Sequence, residues 1–309
     1  MAVDNNHHTL NFGQKCCVEL LWWLCRLVAV MPRVVRYYIF GELIYFVMHV
    51  VIRYRRGVVM TNLRNSFPEK SGRELAAIAR RYDRFLAEQI INTLSVTGIG
   101  RKRQMRYMTF PGAAEYAAAT AGRDVVLVSG HYGCWEYFTA VALYDDGHRL
   151  MSIYHPLENT VLDELFLRIR RCDNSVLVPR DEAIRYYIRH RHDGRNLAIG
   201  LIADQNPFRR KDAYWLTFLN QESIFADGAE QLAVRFGMPM YFAYMKRRAR
   251  GRYEMYMECL HDGRQPLSDH ELTVRYVRAL ERVIRECPEL WLWSHRRWKQ
   301  IRKPEECLH

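Results

Sequence analysis

The sequence predicts an α/β fold, in which helices flank a mixed, largely parallel sheet and a helical module precedes it. From residue 124 onward, short apolar runs typical of strands mostly alternate with amphipathic segments typical of helices. Before residue 110 there are two apolar tracts and a long amphipathic segment, without a strand pattern. With 309 residues, of which 49% are hydrophobic, the chain can bury a sizeable core.

The two N-terminal apolar tracts predict a module that lies in a membrane interface. Residues 16–31 are too few to span a bilayer and include Glu19 and Arg26. In the second tract, "VVRYYIFGELIYFVMHVVIRYRR", polar-tipped residues recur at helical spacing among aliphatic ones, as in a helix at headgroup level. A buried helical hairpin of a soluble domain is the alternative. We expect an interfacial anchor or a tilted, imperfect span rather than a conventional transmembrane helix.

Further helices and strands are predicted along the rest of the chain. A capping box from Ser71 to Glu74 starts a helix over about 72–96. Strands are predicted near 125–129, 150–154, 175–178, 197–203, 239–245 and 252–259, and helices near 134–144, 160–171, 181–191, 226–236 and 270–286. The basic stretch "KRRARGR" joins the last two strands as a hairpin. We therefore predict two units: residues 1–110 form a helical, membrane-interfacial module, and residues 111–309 form the α/β domain.

Charge and cysteine usage limit the functional classes. The net charge of +12 indicates a polyanionic partner, such as nucleic acid, an anionic membrane surface or a phosphorylated substrate. The eight cysteines include no C-x-x-C pair and no spacing typical of zinc ligands, so we expect reduced thiols and no metal. The start has no pattern of a cleavable export signal, which favours a cytoplasmic environment.

The stretch "DVVLVSGHYGCWEYF" holds the candidate catalytic residues. His131 follows a buried-looking strand and a turn, and Glu136 falls in the first turns of the next helix, where open α/β sheets bind ligands. A histidine there can accept a proton from a bound hydroxyl if a carboxylate fixes its tautomer. No serine or cysteine nucleophile is suitably placed, since Cys134 is expected to be a buried thiol, so the substrate itself provides the nucleophilic oxygen.

Five sequence blocks resemble the lipid A late acyltransferases, the lauroyl and myristoyl transferases of the lysophospholipid acyltransferase superfamily. "HYGCWE" is similar to their H-x4-E motif. The other blocks occur in the family's order: "RRGVVMTNLRNSFPEKS", "YHPLEN" with "LDELFLRIR", "ADQN", and "PELWLWSHRRWK". The resemblance covers about residues 18–300 and implies a fold like that of the glycerolipid acyltransferases.

The resemblance also implies roles for individual residues. His131 is the general base that takes a proton from a substrate hydroxyl, and Glu136 orients it. Arg170 aligns with an arginine that faces the acyl-transfer site, and Asp204 with a carboxylate at the next strand end. Arg168 is an alternative to Arg170, because the preceding loop is two residues longer than in better-known members.

The implied activity is O-acyl transfer from an acyl carrier protein or coenzyme A thioester to a hydroxyl of a membrane glycolipid, first of all a lipid A precursor. The resemblance places the reaction at the cytoplasmic face of the inner membrane, without a cofactor. The expected partners are acyl carrier protein, the glycolipid acceptor and the membrane surface; we expect a monomer that binds no nucleic acid. Two alternatives stay open: another lipid acceptor, such as an aminolipid or phosphoglycolipid, or a non-catalytic basic protein that binds membranes or nucleic acid.

Overall fold

The computed structural model describes residues 10–96, 101–207, 213–304 and 306–309. Residues 1–9 and 97–100 of the predicted N-terminal module lie outside the described residues. The helices are α1 (Phe12–Val30), α2 (Gly41–Phe46), α3 (Arg56–Ser66), α4 (Gly72–Val96), α5 (Arg101–Tyr107), α6 (Ala113–Thr120), α7 (Thr160–Arg170), α8 (Ala183–His190), α9 (Gly228–Phe236) and α10 (Glu271–Glu286). Two π-helical turns, Val35–Phe40 and Val47–Val51, extend α2 at both ends.

A seven-stranded sheet forms the centre of the fold. Its strands are β1 (Met108–Thr109), β2 (Val125–Ser129), β3 (His148–Tyr154), β4 (Ser175–Pro179), β5 (Asn196–Ile202), β8 (Met240–Ala249) and β9 (Arg252–His261), and a separate hairpin consists of β6 (Trp215–Phe218) and β7 (Gln221–Ile224). The order is β1-β9-β8-β2-β5-β3-β4, and only β8 and β9 pair antiparallel. The predicted mixed, largely parallel sheet flanked by helices is therefore confirmed.

The sheet places the carboxyl ends of β2, β5 and β3 side by side. Every residue of β2 is buried, as expected for a central parallel strand covered on both faces. Connections that run from β2 to β3 and from β3 to β4 move toward one edge of the sheet, whereas those from β4 to β5 and from β5 to β8 move back. Since crossovers are right-handed, α7 covers one face and α8 and α9 cover the other.

Two local features of the structure differ from what the sequence predicted. The segment after His131, predicted as a helix over 134–144, is a 3₁₀ helix over Trp135–Leu143, with every residue from 136 to 143 buried. The β6–β7 hairpin was not predicted. Its turn residues Leu219 and Asn220 have φ of 49° and 60°, as in a type I′ turn, and without a glycine the sequence carries only a weak signal for it.

The N-terminal helices pack on the α7 side of the sheet. Helix α1 contacts α4 and α7, and α4 also contacts the 3₁₀ helix Trp135–Leu143. The predicted capping box of α4 is present, because the Ser71 hydroxyl and the Glu74 carboxylate each bond to the other's backbone N–H. Buried side chains on both sides of residue 110, such as Leu63 and Leu127, belong to one core.

The outer side of these helices is apolar and exposed. Side chains that share this exposure include Leu20, Trp23, Leu24, Leu27, Val30, Ile39, Leu43, Phe46, Val50 and Ile52, which we call the apolar surface. Exposed arginines, Arg26, Arg53 and Arg56, adjoin it in the sequence. Among the described residues, no single helix is long and apolar enough to cross a membrane. The segments Val35–Val51 and Arg56–Ser66 have the length and composition of a membrane span only when taken together, and they are bent by 87° relative to each other.

Candidate active site

Four of the five predicted site residues gather at the carboxyl ends of β2, β5 and β3. His131 lies two residues beyond β2, and Asp204 lies two residues beyond β5, its direct neighbour in the sheet. Glu136 comes from the 3₁₀ helix Trp135–Leu143, and Arg170 from the last turn of α7. His131, Glu136 and Arg170 line one cavity of about 320 Å³, and Asp204 lies directly behind His131.

Asp204, rather than Glu136, holds the imidazole of His131. One carboxylate oxygen of Asp204 lies 2.6 Å from Nδ1 of His131, and the other accepts the backbone N–H of His131 at 2.9 Å. The prediction that Glu136 orients the imidazole of His131 is wrong, because both carboxylate oxygens of Glu136 are bonded to Arg170 instead. Asp204 reaches the imidazole because β2 and β5 are neighbours in the sheet, so the residues that follow these two strands lie side by side.

The glycines of the turn allow this close packing. A Cβ on Gly130 would lie 2.8 Å from a methyl of Leu280 and 3.3 Å from the Asp204 carboxyl group. Gly133 has φ of +65°, and a Cβ there would lie 2.8 Å from Cβ of Met245. A side chain at Gly133 would strain the turn that carries His131, and one at Gly130 would push against Leu280 and the Asp204 carboxyl group.

Gln205 lies at the other ring nitrogen of His131, and its contact agrees with the tautomer that Asp204 favours. With Nδ1–H donated to Asp204, Nε2 of His131 is an acceptor. The Gln205 side-chain nitrogen lies 3.2 Å from that Nε2 and donates to it. Nε2 lies toward the cavity, so a substrate hydroxyl that displaces Gln205 would meet a basic nitrogen.

Asp204 is held as a carboxylate by donors from the C-terminal segment. Trp291 Nε1 donates to its Oδ2 at 2.8 Å, and the buried Arg297 donates through Nε to its backbone oxygen at 2.7 Å. Burial by itself would raise the pKa of Asp204, but the charge of His131 and the bonds from His131 and Trp291 outweigh it, and the pKa lies below its usual value of 3.8. The pKa of the nearby His295 is lowered to about 4, chiefly by burial, so its ring is neutral at physiological pH.

The closing "WLWSHRRWK" is thus largely a structural element behind the site. Trp291, Trp293 and Arg297 are buried, and Asn62 donates to the backbone oxygens of Trp293 and His295. Gln205 and Trp291 were not among the predicted site residues, although both stand in blocks that resemble the family, "ADQN" and "PELWLWSHRRWK". The pairing of Trp291 with Asp204 joins positions 87 residues apart.

Glu136 and Arg170 form a two-pronged ion pair at the cavity wall. Nε and Nη2 of Arg170 lie 2.9 and 2.8 Å from the two carboxylate oxygens of Glu136. The Glu136 side chain is 6% exposed and that of Arg170 is 27% exposed. Although burial alone would lower it, the pKa of Arg170 is raised, because Glu136 bonds to the charged form. This pair fixes the guanidinium of Arg170 in the wall of the cavity that His131 also lines.

Arg168 lies outside this constellation. Its guanidinium lies 2.7 Å from the Glu19 carboxylate and 4.3 Å from the ring centre of Trp22, both on α1. The α-helical spacing of 100° per residue turns it about 160° away from Arg170 on α7. Arg168 therefore links α7 to the N-terminal helix, and it is not among the residues that line the cavity.

Cys134 is completely buried and its thiol is not activated. Burial, followed by the charge of Glu136, raises the pKa of Cys134 well above its usual value of 9.0. A thiolate is the reactive form of cysteine, so this environment disfavours a covalent thioester intermediate at Cys134.

The cavity is lined by both polar and apolar side chains. Its floor is formed by Gly200, Ser152 and Leu177, which pair side by side on β5, β3 and β4. A Cβ on Gly200 would lie 2.5 Å from the ring of Phe138, so the glycine lets that ring cover the strand. The other lining side chains are Trp135, Thr139, Ile153, Tyr154, His155, Leu157 and Ile202. Such a cavity, with apolar walls and several polar groups that can fix orientation, is typical of a binding site.

We expect Trp291→Phe to reduce the pH-dependent part of the stability that Asp204 provides. A carboxylate whose pKa is lower in the folded chain stabilises the fold above its unfolded pKa of about 3.9, and this contribution disappears as the pH falls through the folded pKa. Loss of the Trp291 donor raises the folded pKa toward the unfolded one. The free energy of unfolding at pH 7 minus that at pH 3 should fall by about 1 kcal/mol.

Urea unfolding at the two pH values measures this difference. Trp293→Phe is the matched control, because Trp293 Nε1 is equally buried but donates to the backbone oxygen of Pro288. Both variants lose an indole donor, and only Trp291→Phe should alter the dependence on pH. An equal change in the two variants would refute a specific role of Trp291 at Asp204.

An α/β sheet with a partly exposed histidine bonded to a buried aspartate at its carboxyl edge, beside a cavity with polar and apolar walls, has the arrangement of an enzyme active site. The chain matches the family model of the bacterial lipid A biosynthesis acyltransferases over residues 10–300. It belongs to that family, as the sequence blocks predicted, and the family implies an acyltransferase with a lipid A-type acceptor. No curated protein matches the chain.

Proposed function

We propose that this protein transfers a fatty acyl group from an acyl thioester to a hydroxyl of a lipid A precursor, with His131 as the general base. The observation that carries the proposal is the 2.6 Å contact between Asp204 and Nδ1 of His131. This contact leaves Nε2, on the cavity side, as the nitrogen that accepts a proton. The family membership supports both acyl transfer and the type of acceptor.

The reaction balances without a covalent enzyme intermediate. Nε2 of His131 takes the proton of the acceptor hydroxyl while the hydroxyl oxygen attacks the thioester carbonyl carbon. The tetrahedral intermediate then collapses, the carbon–sulfur bond breaks, and the imidazolium returns the proton to the departing sulfur. The products are an ester and a free thiol, and Asp204 stabilises the imidazolium throughout.

Arg170 serves the substrate rather than the imidazole. Its Nε and Nη2 are occupied by Glu136, and Arg170 lines the cavity together with His131. In our proposal it stabilises negative charge on the substrate, either a phosphate of the glycolipid or the developing oxyanion. Glu136 fixes the direction of that guanidinium.

Mass spectrometry of the purified protein's products tests the proposal. The protein is incubated with an acyl thioester and a lipid A precursor that has free hydroxyl groups. The expected product is the acceptor plus one acyl group, joined by an alkali-labile ester, with release of one thiol per ester. An unmodified acceptor, or hydrolysis to free fatty acid at the same rate with and without acceptor, would disprove the proposed function.

We further propose that the apolar surface binds the cytoplasmic face of the inner membrane. Trp23 and Leu27 lie one helical turn apart on α1 and are 64% and 54% exposed. Patches of this kind, next to arginines, favour an anionic bilayer surface. A membrane there would bring the lipid acceptor to the side of the sheet that carries the cavity.

Replacing Trp23 and Leu27 with glutamine should weaken binding to anionic vesicles by about two to four orders of magnitude, because each buried side chain contributes about 1.5–3 kcal/mol. Cosedimentation with vesicles measures the affinity. Val234→Gln is a control, since Val234 is 56% exposed on α9, on the opposite side of the sheet. Unchanged binding of the double variant would place the membrane contact elsewhere.

A further inference from the structure

Helix α8 presents a basic and apolar face to solvent. Ala183, Tyr186 and Tyr187 are buried beneath it. Ile184 and Ile188 are 46% and 49% exposed. These isoleucines are four residues apart, as are the exposed Arg185 and Arg189, so each pair forms a row along the helix. We call these four side chains the α8 face; with Asp181 they line one shallow depression.

The arginines of the α8 face have no carboxylate partner in the described part of the chain. The exposed arginines of α10 differ, because Arg275 pairs with Glu271 and Arg285 pairs with Glu281. The α8 face thus combines two guanidinium groups without a carboxylate partner and two exposed isoleucines around one depression. Their complement is a surface with carboxylates and an apolar centre.

The α8 face begins at the edge of the sheet that carries the site. Pro179, the last residue of β4, pairs with Tyr154 of β3, which lines the cavity. Burial contributes most to the raised pKa of Tyr154, and the charges of Asp163 and of Glu182 and Asp181, which follow β4, add to it. A partner seated on α8 would therefore reach the cavity mouth.

The topology also separates the α8 face from the apolar surface. Helix α7, which α1 contacts, and helix α8 cover opposite faces of the sheet, because their crossovers run in opposite directions. If the apolar surface lies on the bilayer, the α8 face is turned away from it. A partner in solution fits this position better than a second membrane contact.

We propose that the α8 face docks an acidic helix of the protein that carries the acyl thioester. This inference rests on the proposed acyl transfer. Carboxylates of the carrier pair with Arg185 and Arg189, and an apolar side chain of the carrier lies between Ile184 and Ile188. Docking at this position presents the thioester to the cavity mouth on the side away from the membrane-bound acceptor.

The double variant Arg185→Glu/Arg189→Glu tests this inference. The same acyl group is offered on acyl carrier protein and on coenzyme A, and KM is measured for each donor. The KM for the carrier-bound donor should rise at least tenfold more than the KM for the coenzyme A donor, because the reversed charges repel the carrier. High salt should reduce the difference.

A control variant with the same change of net charge, Arg73→Glu/Arg80→Glu, uses exposed arginines of α4 and should leave the ratio of the two KM values as in the wild type. If the charge-reversed variant unfolds, Arg185→Gln/Arg189→Gln takes its place with the same readout. Equal effects on both donors, or a loss of vesicle binding without a change in the KM ratio, would overturn the docking proposal. Failure of the wild type to transfer from either donor would instead count against the proposed function.

Discussion

Replacing Asp204 with asparagine should lower kcat for acyl transfer by about a thousandfold or more, while the protein stays folded. The Asp204 carboxylate accepts Nδ1–H of His131 and stabilises the imidazolium that forms when the acceptor loses its proton. An asparagine amide offers no charge, and its NH₂ group can favour the opposite tautomer. The initial rate of ester formation with a labelled thioester measures the effect.

A second buried aspartate–histidine pair provides a matched control. Asp145 lies 2.8 Å from Nδ1 of His148, and neither residue lines the cavity. Asp145→Asn removes a contact of the same chemistry, so we expect a loss of stability and a change in kcat of less than about fivefold, consistent with a local structural effect. A fall of less than tenfold in Asp204→Asn, or an equal fall in both variants, would mean that Asp204 does not assist the base.

Glu136→Gln should destabilise the fold by about 3 kcal/mol and lower kcat/KM by roughly a hundredfold. The substitution leaves the mostly buried Arg170 guanidinium without its carboxylate. Removing one partner of a buried ion pair lowers the free energy of unfolding, because the remaining charge is no longer compensated. The freed guanidinium also loses its fixed direction toward the substrate. Urea unfolding and steady-state kinetics measure the two effects separately.

A double-mutant cycle determines whether Glu136 acts through Arg170. If it does, the losses in Glu136→Gln and Arg170→Gln are strongly non-additive, with a coupling free energy of about 2 kcal/mol. Arg168→Gln serves as the control, because Arg168 pairs with the half-exposed Glu19 and should cost at most about 1 kcal/mol. Additive effects of Glu136 and Arg170 would show that the two residues act independently.

The sheet was predictable because its strands have a strong local signal. The run from Val125 to Val128 is apolar on both faces, as required at the centre of a parallel sheet, and β8 and β9 flank an evident basic turn. The β6–β7 hairpin escaped prediction because its left-handed turn uses leucine and asparagine, without glycine. The 3₁₀ form of Trp135–Leu143 depends on packing between the sheet and α4, which periodicity does not reveal.

The members of the site were predictable, but their pairing was not. His131 and Glu136 stand in one short motif, which suggested that they contact each other. In the structure the register of β2 and β5 brings Asp204 to the imidazole from 73 residues away, and α7 brings Arg170 to Glu136. Such long-range contacts follow from the order of strands and the direction of crossovers, which one sequence specifies only indirectly.

The rate of acyl transfer by His131→Ala tests the central claim most directly, which is that the His131 imidazole deprotonates the acceptor hydroxyl. We expect the rate to fall by about a thousandfold or more, with unfolding and vesicle binding close to those of the wild type, and free imidazole to restore part of the activity. A rate within tenfold of the wild type would contradict the claim.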